Sequence, residues 1–448
     1  MSIFRAYDIR GIFGQDLTPE IAEKIGKAFG TYLGKGTVAV GRDNRLSSDE
    51  LFKALAEGIA STGVNVVDIG TVPTPLLYFS IYHYKRDGGV MITGSHNPPQ
   101  YNGFKLCKGK KTLAGDEIQE IRKIFEKGKF KLGEGRIERQ NVIDDYVNFI
   151  VKKIKLSKKI KVVVDAGNGT GGIVSPGLLR NVGCDVVELN CKPDGNFPKH
   201  HPDPTVDRNL DELIATVRKE HADFGIAYDG DADRLGVVDD AGRIVRGDQL
   251  MIFFSMDILK KKHGAKIICE VKCSQGLMED VKKHGGVPII YRTGHSFIKK
   301  KMQEENALLA GEMSGHFFFA DDYYGYDDGI YASARLAKLL SNSGERLSAL
   351  VDELPKYYST PEIRVHCPED EKFKIVENMK EKFEKKYDVI GIDGARVEFG
   401  DGWGLVRASN TEPALILRFE ATSEKKLQEI KKVFSDALKE FPFLKLEF

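Results

Sequence analysis

The sequence holds one tryptophan and six cysteines in 448 residues, and it has no long apolar run. No stretch approaches the ~20 residues that a membrane-spanning helix needs, so no membrane partner is expected. The first residues, Met-Ser-Ile-Phe-Arg-Ala-Tyr-Asp, lack the apolar core of a signal peptide. The cysteines are Cys107, Cys184, Cys191, Cys269, Cys273 and Cys367. They form no C-x-x-C pair and no zinc-like spacing, so reduced thiols in a cytoplasmic protein are expected. Charge of one sign is also missing, because 67 Lys and Arg face 66 Asp and Glu. That balance leaves no basic footprint for nucleic acid and no acidic tail. Glutamine is sparse beside abundant lysine and glutamate, the compositional lean of thermophile chains.

An internal repeat is present. Residues 37–70 run from a strand, Thr-Val-Ala-Val-Gly-Arg-Asp, through a helical stretch near Ser48–Thr62 to Gly63-Val-Asn-Val-Val. Residues 160–190 repeat the plan with a helix expected near Ser175–Val182, and residues 265–291 repeat it with a helix from about Gly276. Each unit reads as strand, crossover helix ended by glycine, and second strand. The spacing is too wide for a solenoid. The pattern predicts three similar α/β domains over 1–152, 153–252 and 253–362. Residues 363–448 read differently, as strands with two amphipathic helices, the last capped by Ser423. They predict a smaller α+β domain.

Four segments carry chemistry. The apolar strand Gly-Val-Met-Ile at 89–92 breaks into Thr-Gly-Ser-His-Asn-Pro-Pro, a means of holding Ser95 rigidly at the rim of a sheet. A second strand, Phe-Gly-Ile-Ala-Tyr, precedes Asp229-Gly-Asp-Ala-Asp-Arg. Alternate residues of an extended chain point the same way, so Asp229, Asp231 and Asp233 can converge on a hard cation, Mg²⁺ by ligand type. Arg234 suits a phosphate oxygen. An EF-hand starting at Asp229 is excluded, since its sixth and twelfth positions hold Arg234 and Asp240. An aspartyl phosphatase of the haloacid-dehalogenase type, with Asp229 as nucleophile, stays open as a competitor.

The third segment, Arg407-Ala-Ser-Asn-Thr-Glu-Pro, offers an Arg fork and the Ser409 and Thr411 hydroxyls as a phosphate cradle. The fourth, Gly311-Glu-Met-Ser-Gly-His, places Glu312 and Ser314 to meet sugar hydroxyls, with His295 on a nearby Thr-Gly-His-Ser loop. Gly167-Asn-Gly-Thr-Gly-Gly matches the dinucleotide fingerprint G-x-G-x-x-G, with Glu188 downstream. Glycine patterns of this kind are common at strand-to-helix turns, and a nicotinamide enzyme would leave the serine loop, the aspartate cluster and the phosphate loop unexplained.

Together these segments, with Phe4-Arg-Ala-Tyr-Asp-Ile-Arg-Gly, Gly195-Asn-Phe-Pro-Lys-His-His-Pro-Asp-Pro and Val271-Lys-Cys, resemble the α-D-phosphohexomutase family in order and spacing along essentially the whole chain. The resemblance is to its bacterial and archaeal phosphomannomutase/phosphoglucomutase branch. It implies three related α/β domains and a C-terminal TATA-box-binding-protein-like domain around a central cleft. It also implies phosphoryl exchange between the 1- and 6-positions of mannose and glucose phosphates, through a phosphorylated Ser95 and a hexose 1,6-bisphosphate. The implied metal site is Mg²⁺ on Ser95, Asp229, Asp231 and Asp233. The implied catalytic set is Ser95, His96, Lys105, Arg234 and His295, with Lys105 and His295 as candidates for proton transfer. The implied substrate contacts are Tyr7, Arg10, Lys272, Glu312, Ser314, His316, Arg407, Ser409, Asn410 and Thr411. Partners reduce to small hexose phosphates, with the protein a monomer or weak homodimer. Gly94 fits the hexose mutases, since phosphoglucosamine mutases, the alternative within the family, usually carry Ala there. A non-catalytic sugar-phosphate-binding protein is the remaining alternative.

Overall fold

A computed structural model describes residues 3–5, 7–409 and 413–446. The chain divides into two compact units, Met1–Ile258 with Gly294–Asp352, and Leu259–Thr293 with Glu353–Phe448. The residues expected as a third domain are therefore shared between the two units.

In the first unit, the strands Gly88–Ile92, Thr37–Arg42, Asn65–Thr71 and Ile137–Arg139 run parallel. Tyr101–Lys108 and then Ile9–Ile12 add antiparallel to the Gly88–Ile92 side. Gly88–Ile92 is buried at every position, as a strand covered on both faces must be. The helix Pro19–Leu33 starts where Thr18 accepts from the Ile21 N–H, with Pro19 at the first helical position, where a missing N–H costs nothing. It packs closely on the helix Ser48–Ala60. A Cβ on Gly26 would strike the Leu55 carbonyl, and one on Gly58 would strike the Glu23 carbonyl.

A second sheet follows in the order Ile244–Val245, Leu235–Asp239, Phe224–Tyr228, Lys161–Asp165, Asp185–Leu189. The expected helix near Ser175 in fact spans Gly171–Val182, with Pro176 inside it. The added turn comes from Gly171 and Gly172, where any Cβ would crowd Tyr228 or the Cys191 carbonyl. The hairpin Leu309–Gly311 with Phe317–Phe319 also belongs to this unit.

The second unit carries the parallel pair Lys266–Glu270 and Val287–Tyr291. It also holds an antiparallel sheet in which Ala414–Ala421 pairs with Gly402–Ala408, Ile363–His366 and Tyr358–Ser359. Ala395–Glu398 and Asp388–Ile390 extend that sheet. The helices Lys372–Glu384 and Glu424–Leu438 pack Ile375, Met379, Ile430 and Phe434 against it. Ser423 caps the last helix by accepting from Lys426 N–H, as expected.

Gly58→Ala tests the close helix pair. Alanine is the better helix former, yet overpacking against a fixed carbonyl should cost about 1–3 kcal/mol. A lower denaturation midpoint is expected; a raised one would show that the two helices can separate freely.

Candidate active site

The buried strand Gly88–Ile92 delivers the chain to Ser95, which is 3% exposed and has φ 49°. That backbone conformation costs a non-glycine residue about 1–2 kcal/mol, so the surroundings must hold it. Thr93 Oγ1 accepts from the Ser95 N–H at 2.8 Å, and Asp43 Oδ2 accepts from the Gly94 N–H at 3.1 Å. The Ser95 hydroxyl donates to Asp229 Oδ2 at 2.8 Å and lies 3.2 Å from His96 Nδ1. Burial, with Arg234 and Arg10 nearby, holds the His96 pKa well below its ordinary value.

The aspartates converge by a different route from the expected one. Phe224–Tyr228 and Leu235–Asp239 form a hairpin whose last pair is Tyr228 with Leu235, so residues 229–234 are its turn. Ala232 takes φ 55°, and the carboxylates meet because the chain turns back, not because it is extended. All three are fully buried, and one oxygen of each lies within 4.8 Å of the others. Burial, then Asp231 and Asp233, raise the Asp229 pKa well above the carboxylate range. Asp231 Oδ1 is buried with no hydrogen-bond donor among the described residues. An all-oxygen set with mutual repulsion and an unpartnered buried oxygen fits a hard divalent cation such as Mg²⁺.

Cations of the chain surround this trio. Lys105 Nζ reaches Asp231 Oδ2 at 2.7 Å and Asp233 Oδ2 at 2.5 Å. Burial opposes its charge, but the two carboxylates prevail and its pKa is raised. Arg234 donates its N–H to Asp229 Oδ1 at 3.2 Å, and its Nε lies 3.9 Å from Asp229 Oδ2. An antiparallel bridge from Arg234 to His316 joins the aspartate turn to the Glu312 loop. His316 Nδ1 is 2.7 Å from Glu312 Oε2, and its Nε2 is 3.2 Å from Asp233 Oδ1. Burial works against charge on both His316 and Glu312. Their carboxylate–imidazolium contacts win, lifting His316 to about 10 and lowering Glu312 to about 2.

Glu312 also accepts from the Gly294 N–H at 2.6 Å, and the Ser314 hydroxyl lies 3.2 Å from His316 Nδ1. His295 stacks on His316 with ring centroids 5.6 Å apart, and its Nδ1 is 3.3 Å from Asp327 Oδ2. Burial and then Lys299 depress the His295 pKa, leaving a neutral imidazole at pH 7. Arg10 pairs with Asp8 and with the Asn97 side chain of the serine loop. Tyr7 packs edge-on against Phe297, 5.3 Å away.

The remaining expected residues belong to the second unit. Lys272 Nζ is 2.9 Å from Glu362 Oε2 and 3.5 Å from Glu270 Oε1. Arg407, at the end of the strand Gly402–Ala408, donates from Nε to Asp393 Oδ2 at 3.1 Å. The Ser409 carbonyl accepts from Lys372 Nζ at 2.6 Å. Asn410 and Thr411 lie outside the described residues.

Several contributors escaped sequence reasoning. Thr74 donates its hydroxyl to Asp231 Oδ2 at 2.6 Å and its N–H to the Asp231 carbonyl at 2.9 Å. Asp327 binds Lys299 Nζ at 2.7 Å as well as facing His295. Its only signal was the Asp327-Asp328 pair ahead of a helix. The Gly167–Gly172 turn, read as a spurious nucleotide motif, has a structural use. Thr170 donates its N–H and hydroxyl to the Gly230 carbonyl at 3.0 and 3.1 Å. A Cβ on Gly169 would come within 2.7 Å of that carbonyl oxygen, so glycine lets the turn approach the aspartate loop.

Comparison with known proteins agrees with this geometry. Residues 1–132, 144–242, 246–358 and 362–437 match, in order, alpha/beta/alpha domains I, II and III and the C-terminal domain of phosphoglucomutase/phosphomannomutase. The chain is 48% identical to a phosphomannomutase/phosphoglucomutase of Pseudomonas aeruginosa, over 98% of this chain and 96% of that one. It is 45% identical to a phosphoglucomutase of Neisseria gonorrhoeae, over 99% and 98%. A crystal structure of a phosphoglucomutase/phosphomannomutase family protein from Burkholderia thailandensis superposes with TM-score 0.94 at 44% identity, covering 100% of this chain and 99% of that one.

The aspartate trio makes a prediction independent of turnover. Mg²⁺ at about 100 times its dissociation constant should stabilise the protein by about 2.7 kcal/mol, read as a rise in Tm. Asp231→Asn should remove most of that rise. A full rise in the variant would place the cation elsewhere.

Proposed function

Because the chain belongs to the phosphoglucomutase/phosphomannomutase family, we propose that it interconverts the 1- and 6-phosphates of mannose and of glucose. The reaction runs through phosphorylated Ser95 and a bound hexose 1,6-bisphosphate, in the cytoplasm, on a monomer or weak homodimer. The observation that carries this reading is the 2.8 Å hydrogen bond from the Ser95 hydroxyl into the Asp229 carboxylate, inside the buried trio. Mg²⁺ on Asp229, Asp231, Asp233 and the serine phosphate would screen the phosphoryl oxygens.

The chain's own residues do the rest. Ser95 gives its phosphoryl group to O6 of a hexose 1-phosphate: the P–OSer bond breaks as the P–O6 bond forms. His295, neutral and oriented by Asp327, takes the O6 proton. After the bisphosphate turns over, the Ser95 oxygen recovers a phosphoryl group from O1, and the proton returns to that oxygen. Lys105 and Arg234 offset charge on the transferring group, since positioning and charge stabilisation are most of what such transfer needs. His96 packs beside the serine, and Tyr7 and Arg10 shape its surroundings. Glu312 and Ser314 read the O3 and O4 hydroxyls, with His316 and Lys272 in support. Arg407, Ser409, Asn410 and Thr411 grip the phosphate that does not react. Gly94 matches the mannose and glucose mutases, since phosphoglucosamine mutases usually carry alanine there. A Cβ at this position would sit 2.5 Å from the Arg45 guanidinium, which disfavours alanine in this chain.

Ser95→Ala should lower kcat by roughly 10⁴–10⁶ while hexose phosphate binding stays measurable by calorimetry. The phosphoenzyme should resist hydroxylamine; a labile acyl phosphate would transfer the nucleophile to Asp229. Arg407→Ala should raise KM roughly 10- to 100-fold, the value of one charged hydrogen-bonding group. In the pH profile, a base must be unprotonated to act. The depressed His295 pKa therefore predicts an acid limb of kcat below pH 6.5. A limb above that value, or one that survives in His295→Gln, would assign the base elsewhere.

A further inference from the structure

Arg45 lies outside every motif that pointed to the reaction, yet all of its N–H donors are engaged around Ser95. It is buried at 3% exposure. Nη2 donates to the Ser95 carbonyl at 2.8 Å and to the Asn97 carbonyl at 2.6 Å. Nη1 donates to the Pro98 carbonyl at 2.6 Å and to the Tyr101 carbonyl at 3.1 Å. Nε donates to Asp43 Oδ2 at 3.1 Å, and Asp43 in turn receives the Gly94 N–H and the Ser48 hydroxyl. A guanidinium has five N–H donors in a fixed plane, and here all five are used.

Four of the five go to carbonyls of the one loop that carries Ser95. Backbone carbonyls turned toward a common point repel one another unless a planar cation lies between them. The same convergence fits the αL conformation of Ser95, whose own carbonyl is one of the four. Glycine at 94 leaves room for the guanidinium.

The cation is enclosed from the neighbouring domain. The Phe197 ring covers it, with Cζ 5.1 Å from the ring centroid. Gly195 lies so close that a Cβ there would be 2.5 Å from the Asn44 carbonyl and 3.0 Å from the Arg45 Cα. Asn44 Nδ2 donates to the Asn168 carbonyl at 2.9 Å. The Gly195-Asn-Phe-Pro segment, to which the proposed reaction assigns no role, thus lies over Arg45.

We propose that Arg45, enclosed by Phe197, is a positioning residue for phosphoryl transfer: it gathers the carbonyls of residues 95, 97, 98 and 101 and so sets the Ser95 oxygen against the aspartate trio. This rests on the reading of Ser95 as the phosphoryl carrier. Lysine cannot substitute, because its ammonium has three donors and no plane.

The test uses full-length wild type, Arg45→Lys and Phe197→Leu. Three quantities are read: steady-state kinetics with glucose 1-phosphate, the single-turnover rate of Ser95 phosphorylation from glucose 1,6-bisphosphate, and Tm. A loop displaced by about 1 Å should slow transfer about 100-fold. Arg45→Lys should therefore lower kcat and the Ser95 phosphorylation rate by that common factor, with KM changed less than about threefold. Phe197→Leu should lower both rates together by a smaller factor, about 3- to 10-fold, at unchanged KM. A merely structural role would lower Tm and the folded fraction while molecules that fold keep the wild-type single-turnover rate, and that result would overturn the proposal. So would a wild-type rate in Phe197→Leu should Arg45→Lys fail to fold, or a rise in KM at unchanged kcat in either variant. Absence of a Ser95 phosphate from the wild type would instead overturn the reaction scheme, a result distinct from any of these.

Discussion

Three carboxylates from one short turn lie fully buried with one oxygen of each within 4.8 Å of the others, and much of the first unit can be understood as the means of keeping them there. Such a cluster repels itself, and burial together with that repulsion raises the Asp229 pKa. The fold answers with charge and hydrogen bonds: Arg234 from the same turn, and Lys105, His316, the Thr74 hydroxyl and the Ser95 hydroxyl from distant segments. The bonds from distant segments also join separate parts of the chain. The interactions that balance the aspartates are therefore the ones that bring the nucleophile, the acidic trio and the Glu312 loop into one site.

The same economy appears one layer further out. Turns with no reactive group support the loops that have them. The Gly167–Gly172 turn holds the Gly230 carbonyl, and Arg45 holds the serine loop. Glycines occur where two backbones must nearly touch: a Cβ on Gly230 would lie 2.6 Å from the Ser95 carbonyl oxygen. Close backbone approach leaves little freedom for either loop, which suits a reaction that depends on placement more than on a strong acid or base.

In the second unit, arginine again grips carbonyls. Buried Arg396 lies 3.9 Å over the Trp403 ring and donates to the Val271 and Cys273 carbonyls at 2.8 Å. Arg418 donates to the Lys272 carbonyl. Val271, Trp403 and Leu405 share one buried cluster, with Ile290 against it. The loop that presents Lys272 is thereby packed onto the C-terminal sheet. This explains why the compact unit includes Leu259–Thr293 along with the C-terminal residues. The single tryptophan of the chain sits at the centre of that arrangement, stacked under one arginine and donating to Glu420 at 2.9 Å.

What the sequence determined by itself were the features written locally. The apolar strands Gly88–Ile92 and Phe224–Tyr228, which lead to Ser95 and Asp229, were legible because a buried strand is a run of apolar residues and its end is marked by a change of residue type. The helix Glu424–Leu438 was legible from its cap and period. The acidic trio was legible because its three members are two residues apart. Tertiary structure alone decided what those residues meet. The carboxylates converge through a turn with Ala232 in the left-handed region, which no periodicity encodes. Arg45 and Thr74 reveal themselves only by their partners, about 50 and more than 150 residues away, and an ordinary arginine or threonine carries no local mark of such a bond. Pattern records what a residue is and which face it shares. Hydrogen bonding among buried groups depends on distance in space, and that distance exists only once the chain has folded.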